Sequence, residues 1–164
     1  MASIWVVNAS PLITLAKIGR LDLLAAQDRS VIVPQPVLDE ILAGPEGDPA
    51  RLAFEASPPA EIRNAPTDPA VLAWNLGRGE TAVLSLARAE GALAVIDDRE
   101  ARVAARVLGL RFTGTLGIVI QAVRAGRETA AAPLVHALRQ AGLRLSDEAV
   151  ADALQRYLDE MWEP

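Results

Sequence analysis

Short runs of consecutive apolar residues give the strongest strand signals in the chain. They cover residues 4–7, 31–33 and 93–96, and a weaker run covers residues 110–113. The runs are continuously apolar, which is typical of strands that are covered on both faces. Helical patterns lie between them, and this alternation predicts a parallel sheet with crossover helices.

The helix boundaries follow from proline, glycine and capping residues. They predict helices over residues 11–17, 21–26, 36–42, 79–91, 99–108, 117–125, 133–141 and 147–161. Ser146 is the predicted N-cap of the last one. Six of the eleven prolines fall between residues 44 and 70. We therefore expect a loop-rich insertion there, over one edge of the sheet, with at most a short helix over residues 50–56.

Length and composition limit the chemistry that the chain can carry. Its 164 residues correspond to about one domain, and 51% of them are hydrophobic, enough for a substantial core. The absence of cysteine excludes disulfides, thiolate nucleophiles and thiolate metal sites. The single histidine, His136, excludes a histidine-rich metal site and disfavours a Ser-His-Asp triad. Carboxylates, amides, hydroxyls and arginines remain.

The charge balance is acidic, with a net charge of −5. This value disfavours a protein that holds nucleic acid by bulk charge, but it is compatible with a local arginine patch beside acidic groups. The first residues form a strand pattern without a basic leader, and no apolar run approaches the roughly 18–20 residues of a membrane span. We expect a soluble, cytoplasmic protein that does not insert into a membrane.

Polar residues follow two of the predicted strands directly. Asn8 ends the first, and Asp97 and Asp98 end the third. In a parallel sheet these ends share one edge, where ligands bind. Glu40 and Glu80 lie early in two helices that are otherwise apolar on their packed side. Because clustered carboxylates repel each other unless a cation neutralises them, the pattern predicts an oxygen-ligand site for a hard cation.

Each of these residues also has a simpler interpretation. Glu80 at a helix start complements the helix dipole, and Glu40 beside Asp39 can be a solvated surface residue. Asp98 can cap the helix that begins near residue 99, and Asn8 can form an Asx turn. The coincidence of all of them at one predicted sheet edge favours a common site.

The strings around these residues resemble the PIN domains, and most closely a prokaryotic branch related to VapC-type toxin ribonucleases. The matching strings, in the same order, are residues 6–19, which include Asn8-Ala9-Ser10-Pro11; Val33-Pro34 with Val37 and Glu40; Gly77-Arg78-Gly79-Glu80-Thr81-Ala82; Ile96-Asp97-Asp98-Arg99-Glu100-Ala101-Arg102; and Thr113-Gly114-Thr115-Leu116-Gly117. They cover about residues 4–126.

This resemblance implies a three-layer α/β/α fold with a central parallel sheet of about four or five strands. One PIN-like domain would span residues 1–164, with the C-terminal helices at about 130–162. The implied activity is hydrolysis of RNA by an enzyme that depends on Mg²⁺ or Mn²⁺. The resemblance places Asn8, Glu40, Glu80 and Asp98 as catalytic and metal-binding residues, with Asp97 as an additional metal neighbour.

Further residues are expected to contact the substrate. The resemblance implies Ser10 and Thr115 for this role. Arg99, Arg102 and Arg106 share one helix face that could hold an RNA backbone, although a solvated face paired with acids is the alternative.

The resemblance also implies partners. They are RNA, a small antitoxin protein if the chain is the toxin of such a pair, and a second copy of the chain. A homodimer would use helical faces that include residues around 12–24.

Asn8 departs from the family pattern, which usually has aspartate at this position. An amide oxygen still coordinates a cation, but the site loses one negative charge. The alternative function is therefore a catalytically weakened PIN-fold module that acts through protein contacts. A phosphoryl-transfer protein of the receiver or haloacid-dehalogenase type is disfavoured, since it needs an acid at position 8 and a later lysine, whereas Lys17 is the only lysine.

Overall fold

The computed structural model describes residues 2–164 and contains one parallel sheet flanked by helices. Its strands are β1 (Ser3–Val7), β2 (Arg29–Pro34), β3 (Glu61–Arg63), β4 (Leu93–Val95) and β5 (Phe112–Thr113). The order across the sheet is β3-β2-β1-β4-β5, and all neighbouring strands run parallel. The predicted α/β/α class with a central parallel sheet is confirmed.

The helices occupy most of the remaining chain. They are α1 (Ala9–Lys17), α2 (Gln35–Leu42), α3 (Pro49–Ala56), α4 (Pro69–Leu72), α5 (Arg78–Glu90), α6 (Arg99–Val107), α7 (Thr115–Arg124), α8 (Ala132–Gln140) and α9 (Asp147–Leu158), with a 3-10 turn at Leu21–Leu24. Ser146 caps α9 as expected, because its hydroxyl accepts a hydrogen bond from the Ala149 N–H. Within residues 2–164, no helix has both the length and the apolar character needed to cross a membrane.

Strand β1 lies at the centre of the sheet, which explains its continuous apolar run. Val6 is paired with Ile32 of β2 on one side and with Ala94 of β4 on the other, and all three residues are buried. The chain builds β2 and β3 on one side of β1 and then crosses back to build β4 and β5 on the other. This reversal opens a crevice at the carboxyl ends of β1 and β4, the place where parallel sheets bind ligands.

The prediction that residues 44–70 contain only loop and one short helix is wrong. Helix α3 is present as expected, but Glu61–Arg63 forms the edge strand β3, and α4 follows it. The sequence pattern did not indicate this strand, because β3 pairs with β2 alone and only Ile62 of its three residues is apolar. Short edge strands with charged residues are common, since they resist pairing with other chains.

The last helix ends at Leu158, earlier than the pattern predicted. Asp159 adopts a left-handed conformation with φ of 53°, and the chain turns back. The Glu160 carboxylate accepts hydrogen bonds from the N–H groups of Ala131 and Ala132 at the start of α8, at 2.9 and 2.8 Å. Trp162 stacks on His136 with ring centroids 4.4 Å apart. His136 therefore has a packing role.

Candidate metal centre

The backbone places Asn8 at the carboxyl edge, between β1 and β4. The Asn8 N–H donates a hydrogen bond to the carbonyl of Val95, at 3.0 Å, so Asn8 directly continues the pairing of the two central strands. Its side chain is buried, with 3% of its surface exposed. Asp97 and Asp98 follow β4 at the same edge. Because β1 and β4 are parallel neighbours, Asn8, Asp97 and Asp98 lie at one edge of the sheet, which is where the sequence places the candidate site.

Two helices bring Glu40 and Glu80 to Asn8. The Asn8 Nδ2 donates a hydrogen bond to Glu80 Oε1, at 3.2 Å. A Cβ atom built on Gly79 would lie 3.0 Å from Asn8 Oδ1 and 3.1 Å from Glu40 Oε2, so both oxygens face the same small volume. The structure therefore brings together three of the four predicted ligands, one from the end of β1, one from α2 and one from α5.

The local sequence explains how the two glutamates reach this position. In α2, Val37 and Ile41 are buried against the core, and Glu40 lies between them on the adjoining face. In α5, Glu80 belongs to the first turn, where a carboxylate also complements the helix dipole. A cleft of about 510 Å³ lies between the two helices, and both glutamates contribute to its lining. Solvent and a ligand can therefore reach these carboxylates.

Gly77 and Gly79, at the start of α5, leave space for the carboxylates of the candidate centre. At Gly79, an added Cβ would press on the oxygens of Asn8 and Glu40. At Gly77, an added Cβ would lie 2.5 Å from Glu80 Oε2. Sequence analysis used Gly79 as the start of a helix and Gly77 only as part of a family string, and it did not predict that the two glycines leave room for the side chains of Asn8, Glu40 and Glu80.

The electrostatics of the group are those of an uncompensated acidic site. Loss of hydration raises the pKa of Glu40, and the neighbouring negative charge of Glu80 raises it further. The Oδ1 atom of Asn8 is buried and accepts no hydrogen bond from residues 2–164. A buried acceptor without a partner is energetically costly and is uncommon in native proteins. A cation at this position would relieve both features.

Asp98 uses its carboxylate to cap a helix. Its Oδ1 atom accepts a hydrogen bond from the Ala101 N–H at the start of α6, at 2.8 Å. The capping interpretation of this residue is thus confirmed, and Asp98 makes no hydrogen bond to Asn8, Glu40 or Glu80 within the described residues. A metal role for Asp98 remains a prediction.

Asp97 fixes the start of α7. Its Oδ1 atom accepts a hydrogen bond from the Thr115 N–H at 2.8 Å, and its Oδ2 atom accepts one from the Thr115 hydroxyl at 2.6 Å. Thr115 is fully buried. Sequence analysis placed both residues near the site and made no prediction of a contact between them. The pair joins the end of β4 to α7, so its observed role is to hold the sheet edge together.

The residues with predicted substrate contacts are spread along this edge. Ser10 is exposed in the first turn of α1, two residues after Asn8. Arg99 lines a hollow with Trp74 and Val103, whereas Arg102 lies over the ring of Phe112, 5.4 Å from its centroid. The two arginines thus face different hollows, despite their shared helix.

The donor set at the centre consists of two carboxylates and one amide. No group of three or more His, Cys, Asp or Glu side chains in a metal-binding arrangement occurs among residues 2–164. The oxygen-only donors nevertheless suit a hard cation such as Mg²⁺ or Mn²⁺, and the unpartnered Asn8 oxygen fits a position that a cation would complete.

Comparison with known families identifies the chain. The family model DUF3368, a PIN domain, matches residues 4–159. Because this match covers most of the chain, the protein belongs to the PIN-domain family, as its sequence motifs indicated. The comparison with curated proteins gives no significant match.

One solved structure with a TM-score above 0.5 shows a related fold. The chain is similar to PAE2754 from Pyrobaculum aerophilum, with 16% identity, a TM-score of 0.51, and coverage of 78% of this chain and 100% of that one. It is also similar to VapBC2 from Rickettsia felis, solved with a DNA fragment from their promoter, with 14% identity, a TM-score of 0.46, and coverage of 68% and 98%. At these identities the likeness concerns the fold alone.

Proposed function

We propose that this protein is a divalent-metal-dependent ribonuclease that hydrolyses RNA phosphodiester bonds. The observation that carries the proposal is the buried, unpartnered Oδ1 of Asn8 beside the carboxylates of Glu40 and Glu80. The two glutamates line a cleft at the carboxyl edge of a PIN-family sheet, and the Asn8 oxygen lies buried behind them. The location, the oxygen donors and the excess negative charge are all those expected of a nuclease metal centre.

Mg²⁺ or Mn²⁺ would be held by Asn8, Glu40 and Glu80, with Asp98 and Asp97 as further acids at the same edge. When bound, such a cation activates water and stabilises the charge that develops on a phosphate. Within the protein, the Asn8 amide fixes the orientation of Glu80 by donating to its Oε1 atom.

Substrate contacts are proposed for the residues that surround this edge. Ser10 is exposed two residues after Asn8 and can reach a substrate, whereas Thr115 is fully buried and bound to Asp97, so Thr115 supports the edge and does not contact the substrate directly. The guanidinium groups of Arg99 and Arg102 make no ion pair within residues 2–164 and are free to contact phosphates of the RNA backbone.

The resemblance to VapC-type toxins extends the proposal to biological context. The chain would be the toxin of a toxin–antitoxin pair, with a small antitoxin protein as its partner, and would act in the cytoplasm as a homodimer. RNA would be its substrate. Each of these roles depends on the family likeness and is open to direct test.

A second candidate is a PIN-fold module with weakened catalysis that acts through protein contacts. The observation that favours it is the donor set, in which Asn8 replaces an acid and only two carboxylates meet. Fewer negative charges give weaker attraction for a divalent cation. Under this alternative the cleft remains, but the ion is bound too weakly to support hydrolysis.

Incubation of the purified protein with mixed RNA, in Mn²⁺ or in EDTA, tests the proposal. We expect cleavage in Mn²⁺, none in EDTA, and loss of cleavage in Glu80→Gln, because this change removes a charge from the donor set. Glu163→Gln is the matched control, since Glu163 is exposed in the C-terminal segment far along the chain from the site. Cleavage that persists in EDTA, or is unchanged in Glu80→Gln, would refute the metal-dependent mechanism. No cleavage by the native protein in Mn²⁺ would favour the second candidate.

A further inference from the structure

Two neighbouring hollows flank helix α7. The first has a volume of about 430 Å³, and its charged lining consists of Asp28, Arg29, Arg124 and Arg127. The second has a volume of about 400 Å³ and contains Asp97, Arg102 and again Arg124. Arg124, with Gln121 beside it, lines both hollows. Their charged lining is mostly positive, although the chain as a whole carries a net charge of −5.

The arginines of these hollows have no carboxylate partners within the described part of the chain. Arg127 donates hydrogen bonds to backbone carbonyls, and Arg124 makes no hydrogen bond or ion pair with residues 2–164. Other arginines do form ion pairs, among them Arg20, Arg51 and Arg88. Other arginines are also unpaired, so what distinguishes the hollows is that four arginines, from β2, α6 and the C-terminal end of α7, line two adjoining depressions together.

Arg29 adds a partly buried positive charge to the first hollow, and its Nη atoms donate hydrogen bonds to the carbonyls of Leu23 and Leu24 and to Gln121. Its guanidinium lies 3.4 Å above the ring centroid of Trp5, and its buried Nε finds no acceptor among residues 2–164. Burial lowers the pKa of Arg29, Asp28 opposes this shift, and the positive charge of Arg127 adds to it. The hollow therefore contains positive groups that repel one another and that an anion would stabilise.

The second hollow adds aromatic surface to the positive charge. Tyr157, on α9, is 52% exposed and contributes to the lining. Helix α9 otherwise offers small side chains here, Ala149 and Ala153, which leave room beside the phenol ring. An exposed aromatic ring beside arginines is the combination that binds single-stranded nucleic acid, since bases stack on the ring while cations contact phosphates.

The two hollows lie one after the other along helix α7. The second begins at Asp97, at the carboxyl edge that carries the candidate metal centre, and follows α7. The first lies at the other end of the sheet, where Arg29 begins β2. Helix α7, with ten residues, is about 15 Å long. A chain that follows it would pass from the catalytic edge to the opposite edge of the sheet.

We propose that the hollows along α7 form a binding path for single-stranded RNA, in which Arg102, Arg124 and Arg127 contact phosphates and Tyr157 stacks on a base. This proposal rests on the proposed function, because it takes RNA as the substrate of the metal centre. The binding itself requires no metal, so it can be measured separately. A duplex is excluded from stacking on Tyr157, since its bases are already stacked on one another.

Fluorescence anisotropy with a labelled oligouridine in EDTA measures this binding while cleavage is suppressed. We expect Arg124→Gln to bind more weakly and to reduce the slope of log K against log salt by about 0.7, the value for one phosphate contact to a single strand. Tyr157→Ala should weaken binding by about fivefold or more at an unchanged salt slope. Arg144→Gln is the control, because Arg144 is exposed and lines neither hollow.

Arg124→Gln is a safe probe because its side chain makes no hydrogen bond that folding would lose within the described residues. Equal binding by Arg124→Gln and Arg144→Gln would overturn the path, as would equal affinity for a duplex of the same length. Binding in EDTA that depends on Arg124 and Tyr157 would support the path even if no RNA is cut in Mn²⁺. Failure of the ribonuclease proposal is thus distinguishable from failure of the path.

Discussion

The replacement Asn8→Asp tests the arrangement of the candidate centre most directly. The native amide donates to Glu80 Oε1 at 3.2 Å and leaves its own Oδ1 without a partner. An aspartate has almost the same shape, but at neutral pH it replaces a donor by a second negative charge against Glu80. The substitution therefore changes charge without changing packing.

The size of the effect follows from this contact. Two unit charges separated by 3.2 Å repel by about 5 kcal/mol at an effective dielectric constant of 20. Protonation of one carboxyl limits the cost, since holding a group with an ordinary pKa near 3.9 neutral at pH 7 requires about 4 kcal/mol. We therefore expect the free energy of unfolding to fall by about 3–4 kcal/mol at pH 7 in EDTA.

The pH dependence has a defined sign. In the folded variant the pKa of the introduced carboxyl lies above its unfolded value, so the destabilisation is present above that unfolded value and disappears at lower pH. Urea unfolding at pH 7 measures the destabilisation, and urea unfolding near pH 4 measures how much of it has disappeared. Saturating Mn²⁺ should recover part of the loss at pH 7, because the ion interacts with the added charge, and calorimetry should show tighter Mn²⁺ binding.

The matched control is Asn64→Asp, which adds the same charge at an exposed position. It should leave the urea midpoint and Mn²⁺ affinity nearly unchanged. If Asn8→Asp unfolds at the same urea concentration as the native protein in EDTA at pH 7, the contact with Glu80 is not formed. If its Mn²⁺ affinity is also unchanged, Asn8 is not a metal ligand.

Substitutions at three further positions separate structural from metal-binding roles. Glu40→Gln should raise the urea midpoint of the metal-free protein at pH 7, because the raised pKa of Glu40 marks a destabilising charge, and the gain should vanish well below the ordinary glutamate pKa. Gly79→Ala should remain folded but lose about tenfold or more in Mn²⁺ affinity by calorimetry, since its Cβ would displace both oxygens; unchanged affinity would contradict this reasoning. Asp98→Ala should lose about 1 kcal/mol from the missing cap of α6, whereas Asp98→Asn should keep it. Loss of Mn²⁺-dependent RNA cleavage in the stable Asp98→Asn would then identify a metal role, and full cleavage would exclude one.

Much of the fold was predictable because its strands are buried on both faces. The continuous apolar runs around Val6, Ile32 and Ala94 carry that burial in their composition, and the glycine and proline positions set most helix ends. Strand β3 was not predictable for the opposite reason. It lies at an edge, one of its three residues is apolar, and its formation depends on pairing with β2, which local sequence does not encode.

The proximity of three candidate residues was predictable from the sequence, whereas the hydrogen-bond partners of the others were not. Strand ends and helix starts indicated Asn8, Glu40 and Glu80, and the structure brings these together. Whether the carboxylates of Asp97 and Asp98 bind a cation or accept a hydrogen bond from a backbone N–H depends on where α6 and α7 begin. The outcome depends on small differences in the position of each helix start relative to the carboxylate, and the spacing of residues along a sequence does not reveal them.

The hydrogen bonds of Asp97 and Asp98 determine how strongly the acidic residues at the carboxyl edge repel one another in the metal-free protein. The carboxylates of Asp97 and Asp98 already accept hydrogen bonds from Thr115 and Ala101, so their charges are stabilised by the fold itself. Glu40 and Glu80 accept no backbone hydrogen bond within residues 2–164 and so depend most on a cation, and the Asn8 amide lies between the β1 end and Glu80 as a donor in place of a third charge.

A ligand that binds only the folded state stabilises it in proportion to the logarithm of its concentration over its dissociation constant. A protein with an aspartate at position 8 would gain more from Mn²⁺ and would lose more without it. With asparagine at position 8, the stability of the fold depends less on the ion. The absence of a negative charge there also lowers the affinity for Mn²⁺, on which hydrolysis would depend. Stability of the empty site and strength of metal binding are therefore coupled through one side chain, and the two are expected to change in opposite directions when that side chain gains a charge.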